Sequence, residues 1–284
     1  MSNGIDTVAF GKSDIRVTRV GLGGEGILRT SGRADKAGEM VQAALDEGIA
    51  YFDSARVYAD SEIYLGSVWE AQPERRRAVF QASKSASRDR DGAMRDLEET
   101  LSRLHTDRLD LWQIHDVRTE TDLAAIEGPG GALSAFVEAK GSGLVRHIGV
   151  TGHHDPGILT RAVEQWPVDA VMMPVNPVEG VLGGFLNGTL PAAQKKGLAV
   201  IGMKILGAGH YVQSRAGVTA DLLIRYALSR GVTVAIVGCG GAAEVAALAQ
   251  TARPFKPLSR AHADQLEILF EPFARKYAFY RGVI

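Results

Sequence analysis

The 284-residue sequence predicts an α/β protein, a (β/α)8 TIM barrel with an N-terminal β-hairpin and an extra C-terminal helix. Three observations predict it. Short apolar runs recur eight times at intervals of about 30 residues, the size of one βα unit. The runs are nearly continuous rather than alternating, as parallel strands covered on both faces should be. The segments between them carry helical spacing and end in glycines suited to a left-handed C′ position.

The eight runs are Thr18–Leu22, Ala50–Asp53, Ala78–Ser83, Leu109–His115, His147–Thr151, Ala170–Val175, Ala199–Lys204 and Val232–Val237. Between the third and fourth, Met94, Leu97, Leu101 and Leu104 form one apolar stripe on a charged segment. Gly48, Gly197 and Gly231 close helical stretches before strands. Val8–Phe10 and Ile15–Val17 flank Gly11–Asp14, a hairpin pattern. After Pro257, the residues Leu266, Leu269, Phe270, Phe273 and Tyr277 fall on one helical stripe. The tail from Tyr277 to Ile284 either folds back over the barrel mouth or packs outside it. No linker or low-complexity tract divides the chain, so residues 1–284 are read as one barrel domain. The stretch Gly21–Gly26 is glycine-rich, but its spacing is not that of a dinucleotide fingerprint.

Composition narrows the function. The 32 basic and 33 acidic residues leave a net charge of −1 with no block of one sign, so neither nucleic acid nor a membrane surface is an expected partner. The single cysteine, Cys239, excludes an intrachain disulfide or a cysteine-clustered metal centre, and no metal site is expected. No apolar stretch approaches the roughly 20 residues that span a bilayer, and the first residues lack a secretory pattern. A cytoplasmic protein acting on a small molecule, as a monomer or weak homo-oligomer, is expected.

Catalytic groups of a barrel sit where strands end at the C-terminal face. Reading those ends gives Asp53, with Tyr58 one short loop later, then Lys84 and His115. Taken singly, Asp53 reads as a cap, Tyr58 as a half-buried aromatic, Lys84 as a solvated strand end and His115 as a core histidine. Together on three successive strand ends they suit carbonyl reduction. A tyrosine with a pKa near 10 is a poor acid, a neighbouring ammonium would lower that pKa, and a carboxylate would hold the ammonium. A histidine at the same rim could donate to the carbonyl oxygen. His153 and His154 read as rim or pocket-wall residues, Cys239 as a small buried side chain, and Trp69, Trp112 and Trp166 as packing residues.

The stretch YFDSARVYADSEIYLG from Tyr51 to Gly66 resembles the aldo-keto reductase signature around its catalytic aspartate and tyrosine. QASK ending at Lys84 resembles that family's lysine strand, and DRLDLWQIH ending at His115 its histidine strand. GLVRHIGVT ending at Thr151 is similar to its fifth strand, and the resemblance covers essentially the whole chain. It implies hydride transfer from a nicotinamide to a carbonyl with Tyr58 as proton donor. Asp53 and Lys84 would tune Tyr58, and His115 would orient the substrate. It implies an NAD(P)-dependent oxidoreductase reducing an aldehyde or ketone, or oxidising an alcohol or sugar. Cofactor contacts would come from Gly23, Gly24, Asp53, Thr151, Gly152, Met172 and Met203. Lys204, Ile205, Leu206 and Gly207 would follow the pyrophosphate, and Gly238, Gly240 and Glu244 the adenosine end.

Several of these positions depart from the family pattern. Thr151-Gly152 stands where Ser-Asn is common, Met172 replaces a glutamine, and Met203 replaces a stacking aromatic, although its sulfur still suits a ring face. Ala247-Leu248 replaces an acid–Asn pair. The resemblance makes NADP the expected cofactor, and NAD is also possible because Glu244 stands where many members place an arginine for the 2′-phosphate. Two other readings bear on the same residues. One is a nicotinamide-redox-sensing regulatory subunit on the same barrel. The other is an unrelated barrel, such as an aldolase or isomerase, in which Lys84 forms a Schiff base.

Overall fold

The computed structural model describes residues 4–283 and shows a closed eight-stranded barrel preceded by a hairpin. The hairpin pairs β1 (Thr7–Ala9) with β2 (Arg16–Thr18), Val8 opposite Val17. The barrel comprises β3 (Val20–Gly26), β4 (Tyr51–Asp53), β5 (Phe80–Ser85), β6 (Leu109–Ile114), β7 (Val145–Thr151), β8 (Ala170–Pro174), β9 (Ala199–Met203) and β10 (Val234–Cys239). All eight predicted runs are strands of this parallel sheet, and β10 pairs with β3 to close it.

Period-two alternation divides the strand side chains between two cores. Residues such as Phe52, Trp112, Ile148 and Val171 face the surrounding helices. Tyr51, Phe80, Ala82, Leu111, Met172, Ile201 and Val234 fill the barrel, joined by Phe10 and Val17 of the hairpin. The hairpin therefore plugs the N-terminal end. Gly11 (φ 59°) makes the close approach possible, because a Cβ there would lie 2.9 Å from the Ala199 nitrogen.

Local signals account for the helices. In the helix Arg90–Arg103, Asp89 caps the start by accepting from the Gly92 N–H at 2.7 Å. Leu97 and Leu104 of its stripe are buried, and Met94 and Leu101 pack beside them. Gly48, Gly197 and Gly231 adopt φ of 82°, 65° and 79°, the left-handed geometry their positions predicted. Trp69, Trp112 and Trp166 are buried in the outer core, as is Cys239. The Gly21–Gly26 stretch lies within β3 itself.

The C-terminal stripe is a correction. The helix Arg260–Phe270 buries Leu266 and Phe270, but Glu271–Phe273 forms a tighter turn and Ala274–Tyr277 a further short helix. Leu269 and Phe273 are 52% and 50% exposed. Pro272 lacks the N–H a continuing helix needs, so the phase of the stripe is lost there. The tail folds back along the C-terminal rim. The Tyr280 hydroxyl donates to Glu179 Oε1 at 2.8 Å and accepts from Asn176 at 3.0 Å, while Arg281 pairs with Glu179. The Gly282 N–H donates to the His154 carbonyl at 3.0 Å. No helix among the described residues is long and apolar enough to cross a membrane.

Candidate active site

Asp53 lies two residues beyond Tyr51 and Lys84 two beyond Ala82, so the same alternation turns both inward. They meet inside the barrel mouth, each 1% exposed, with Lys84 Nζ 2.6 Å from Asp53 Oδ2. The ammonium also donates to the Ser54 carbonyl at 2.7 Å. Burial pushes the Lys84 pKa down and the Asp53 pKa up, and the attraction of each for the other opposes both shifts. Removing either partner would strand a buried charge at a cost of about 3–5 kcal/mol.

Tyr58 is presented by a tight loop in which its N–H donates to the Ala55 carbonyl at 2.9 Å. Gly24 leaves room for it, since a Cβ there would lie 2.8 Å from the Tyr58 ring. Lys84 Nζ lies 4.9 Å from the centre of that ring, and the Arg29 guanidinium carbon 4.7 Å. The His115 ring packs edge-on against it, centroids 5.5 Å apart. Tyr58, Lys84 and His115 all line one cavity of about 500 Å³, with Asp53 buried against Lys84.

The electrostatics correct one expectation. Lys84 was expected to lower the Tyr58 pKa, yet the phenol is pushed well above its ordinary value, first by burial and then by Asp53 and Glu25, with only Arg29 opposing. The Lys84 ammonium makes its hydrogen bonds to Asp53 and Ser54 rather than to the Tyr58 hydroxyl. Tyr58 is therefore held as a neutral phenol. The pKa of His115 is pushed down to about 3, by burial first and then by the Lys84 charge, which leaves a neutral imidazole.

Sequence reasoning missed the residues that fix the loop after β6. Arg88 donates through its two terminal nitrogens to the His115 and Asp116 carbonyls, each at 2.8 Å, and through Nε to Asp122 at 2.9 Å. The clamped Asp116 takes a left-handed φ of 55° and pairs with Arg118 at 2.6 Å. Glu25, Arg29, Arg88, Asp116, Arg118 and Asp122 all line the cavity. The available signal was a charge cluster on the loops directly after β3, β5 and β6.

The opposite wall carries four of the predicted cofactor residues. Thr151, Met172, Met203 and Lys204 line the same cavity from β7, β8 and β9. Thr151 Oγ1 accepts from the Asp116 N–H at 2.8 Å, which leaves its own proton free to donate. Lys204 has φ 55° and no carboxylate partner among the described residues.

The other predicted contacts do not line this cavity. A Cβ on Gly23 would crowd Gly238 at 3.1 Å, one on Gly152 the Val117 carbonyl at 3.0 Å, one on Gly207 the Tyr211 ring at 2.5 Å and one on Gly238 the Glu25 side chain at 2.7 Å. Close packing within the protein accounts for these glycines. Ile205 and Leu206 sit in or against the outer core. The Gly240 N–H, expected to meet an adenosine phosphate, donates to Glu244 Oε2 at 2.7 Å. Glu244 thus places a carboxylate at the start of the helix Ala242–Thr251, where an anion is favoured.

Comparison with known proteins identifies the family and the fold. The chain matches the model of the Aldo/keto reductase family over residues 19–217. It is 28% identical over 243 residues to 6-dehydroglucose reductase of Novosphingobium aromaticivorans, covering 79% of this chain and 77% of that one. It is 25% identical over 254 residues to pyridoxal 4-dehydrogenase of Microbacterium luteolum, covering 74% and 73%. The fold is shared with an aldo-keto reductase of Bacillus halodurans in its holo form, with TM-score 0.77, 19% identity and coverage of 92% and 96%. It is shared likewise with an aldo/keto reductase of Klebsiella pneumoniae in complex with NADP and acetate, with TM-score 0.73, 22% identity and coverage of 93% and 95%. With a family match across most of its length and the same barrel, this chain belongs to the aldo/keto reductase family.

Proposed function

We propose that this chain catalyses the nicotinamide-dependent reduction of an aldehyde or ketone, or the reverse oxidation of an alcohol or sugar. One observation carries the reading: Tyr58, Lys84 and His115 converge on a single cavity, with the Asp53–Lys84 pair buried beneath them. The activities named for the relatives, a reductase and a dehydrogenase of small polar molecules, support it.

The donor set on the far wall fits the cofactor. Two thioethers, Met172 and Met203, offer polarizable surface to a ring, Thr151 offers a hydroxyl to an amide, and Lys204 offers an uncompensated cation to a phosphate. When bound, a reduced nicotinamide supplies the hydride. Tyr58, held as a phenol, gives its proton to the carbonyl oxygen as negative charge develops there. Arg29, its guanidinium carbon 4.7 Å from the Tyr58 ring centre, offsets the charge that the departing proton leaves behind. Neutral His115 donates an N–H to the same oxygen and orients it.

For the cofactor, the family resemblance points to NADP, and Glu244 is the residue set against it. Its carboxylate occupies the Gly240 N–H and would repel a 2′-phosphate brought to that helix start. The test is to mix the protein with NADPH or NADH and a panel of aldehydes and ketones, then follow loss of nicotinamide absorbance. Turnover that vanishes in Tyr58→Phe supports the reading. No turnover with either cofactor, or equal rates in wild type and Tyr58→Phe, overturns it.

A further inference from the structure

We propose that the Arg118–Asp116 and Arg29–Glu25 ion pairs form a hydroxyl-reading subsite beside Tyr58 and His115, and that the carbonyl substrate is polyhydroxylated. This rests on the reductase reading above and names the substrate class for the same site.

The loops after β3 to β6 form the half of the cavity that carries the proton-transfer residues. With the strand residues Glu25 and Lys84 they contribute seven charged side chains to its wall but only two apolar ones, Val57 and Ala86. The tryptophans, which would make an aromatic platform, are buried in the outer core. An alkyl or aryl substrate pressed against this wall would strip water from charged groups and return no hydrogen bonds.

The charges are paired rather than free. Arg29 Nη1 meets Glu25 Oε1 at 2.7 Å, with side chains 47% and 45% exposed. Arg118 holds Asp116 Oδ2 through Nε at 2.8 Å and Nη2 at 2.6 Å, and is 53% exposed. An anionic substrate would have to displace a carboxylate already in contact with each guanidinium. A hydroxyl group needs no such exchange, because it both donates and accepts. It can take an N–H from the unused guanidinium nitrogens and give its proton to a carboxylate oxygen.

The subsite is also held in register with the reacting centre. Asp116 follows His115 directly, and Arg88 clamps both carbonyls. His153 Nε2 lies 3.3 Å from Asp116 Oδ1, and its Nδ1 lies 3.0 Å from the Tyr280 carbonyl of the C-terminal tail. Arg29 in turn lies over the Tyr58 ring. Hydroxyls on the carbons next to the carbonyl are the ones this subsite would read. Sites built to bind a hydroxyl reject analogues that lack it, by up to about 10⁴-fold when enclosed and less when the partners are partly solvated, as here.

The experiment compares glyceraldehyde with propanal, which have the same carbon count and differ in their hydroxyls, expressing kcat/KM per free aldehyde. The expected wild-type ratio exceeds about 30 in favour of glyceraldehyde, and Arg29→Leu, Asp116→Leu and the isosteric Asp116→Asn each lower it at least about threefold. Because the ratio is taken on one preparation, a loss of folded protein cancels. A wild-type ratio near one, or a ratio unchanged in all three variants while both aldehydes are turned over, overturns the subsite and leaves the reductase reading standing. No turnover of any aldehyde or ketone overturns both.

Discussion

The two halves of the barrel mouth are built by different means. The arc after β3 to β6 is polar and internally wired, with a buried ion pair at 2.6 Å, a guanidinium clamp on the His115 loop and further ion pairs at the rim. The arc after β7 to β10 presents two methionines, one threonine, one histidine and one lysine to the cavity, and several of its glycines are closely packed. Chemistry that needs fixed protons and charges has its geometry set before any ligand arrives. A surface that grips a flat ring and a phosphate can be assembled from several side-chain types, so its residues are less constrained.

Substitutions on the two arcs should therefore differ in kind. The largest effect is expected for Tyr58→Phe, which removes the proposed proton donor and should lower kcat by about 10³–10⁴-fold. Thermal denaturation should leave its stability near wild type, because the ring packing is retained. Next comes Lys84→Met, which strands Asp53 and should cost about 3–5 kcal/mol in urea unfolding. Combining it with Asp53→Asn should restore much of that stability without restoring activity. A double variant no more stable than Lys84→Met would show that the buried charge is not the cause.

His115 offers a pH test of the same arc. Its folded pKa of about 3 lies below the ordinary 6.5, so the unfolded chain binds the extra proton between those values. Stability from this group is complete above 6.5 and falls as pH drops towards 3, by about 1.4 kcal/mol per unit. Unfolding measured between pH 7 and 5 should show a shallower slope in His115→Leu than in wild type, whereas equal slopes would mean that His115 is not buried as a neutral ring. The smallest effect belongs to the other arc. Glu244→Arg should shift the ratio of NADPH to NADH affinity by about fivefold towards NADPH, roughly 1 kcal/mol, with stability little changed. An unchanged ratio would remove Glu244 from the cofactor site.

Much of the polar arc was legible from residue order. Strand alternation placed Asp53 and Lys84 inward, and their spacing from Tyr58 and His115 follows from where strands end in a barrel. The hairpin was legible for the same reason, as two short apolar runs about a glycine turn. What escaped was tertiary. That Arg88 reaches the His115 carbonyl depends on how two loops meet in space, 27 residues apart in the chain. The acidity of Tyr58 escaped because burial and the carboxylates of Asp53 and Glu25, rather than the Lys84 ammonium, set its direction. The close packing against the glycines at 23, 207 and 238 was likewise not legible, because the groups packed on them come from other parts of the chain or from a local fold of the loop.

The most direct test of the central claim follows the hydride itself. Reduced cofactor carrying deuterium at nicotinamide C4, incubated with an aldehyde or ketone and this protein, should yield an alcohol with deuterium on the former carbonyl carbon. The same label should fail to transfer at a measurable rate in Tyr58→Phe. Product without deuterium, or equal transfer in the variant, would contradict the assignment of Tyr58, Lys84, Asp53 and His115 as a hydride-transfer site.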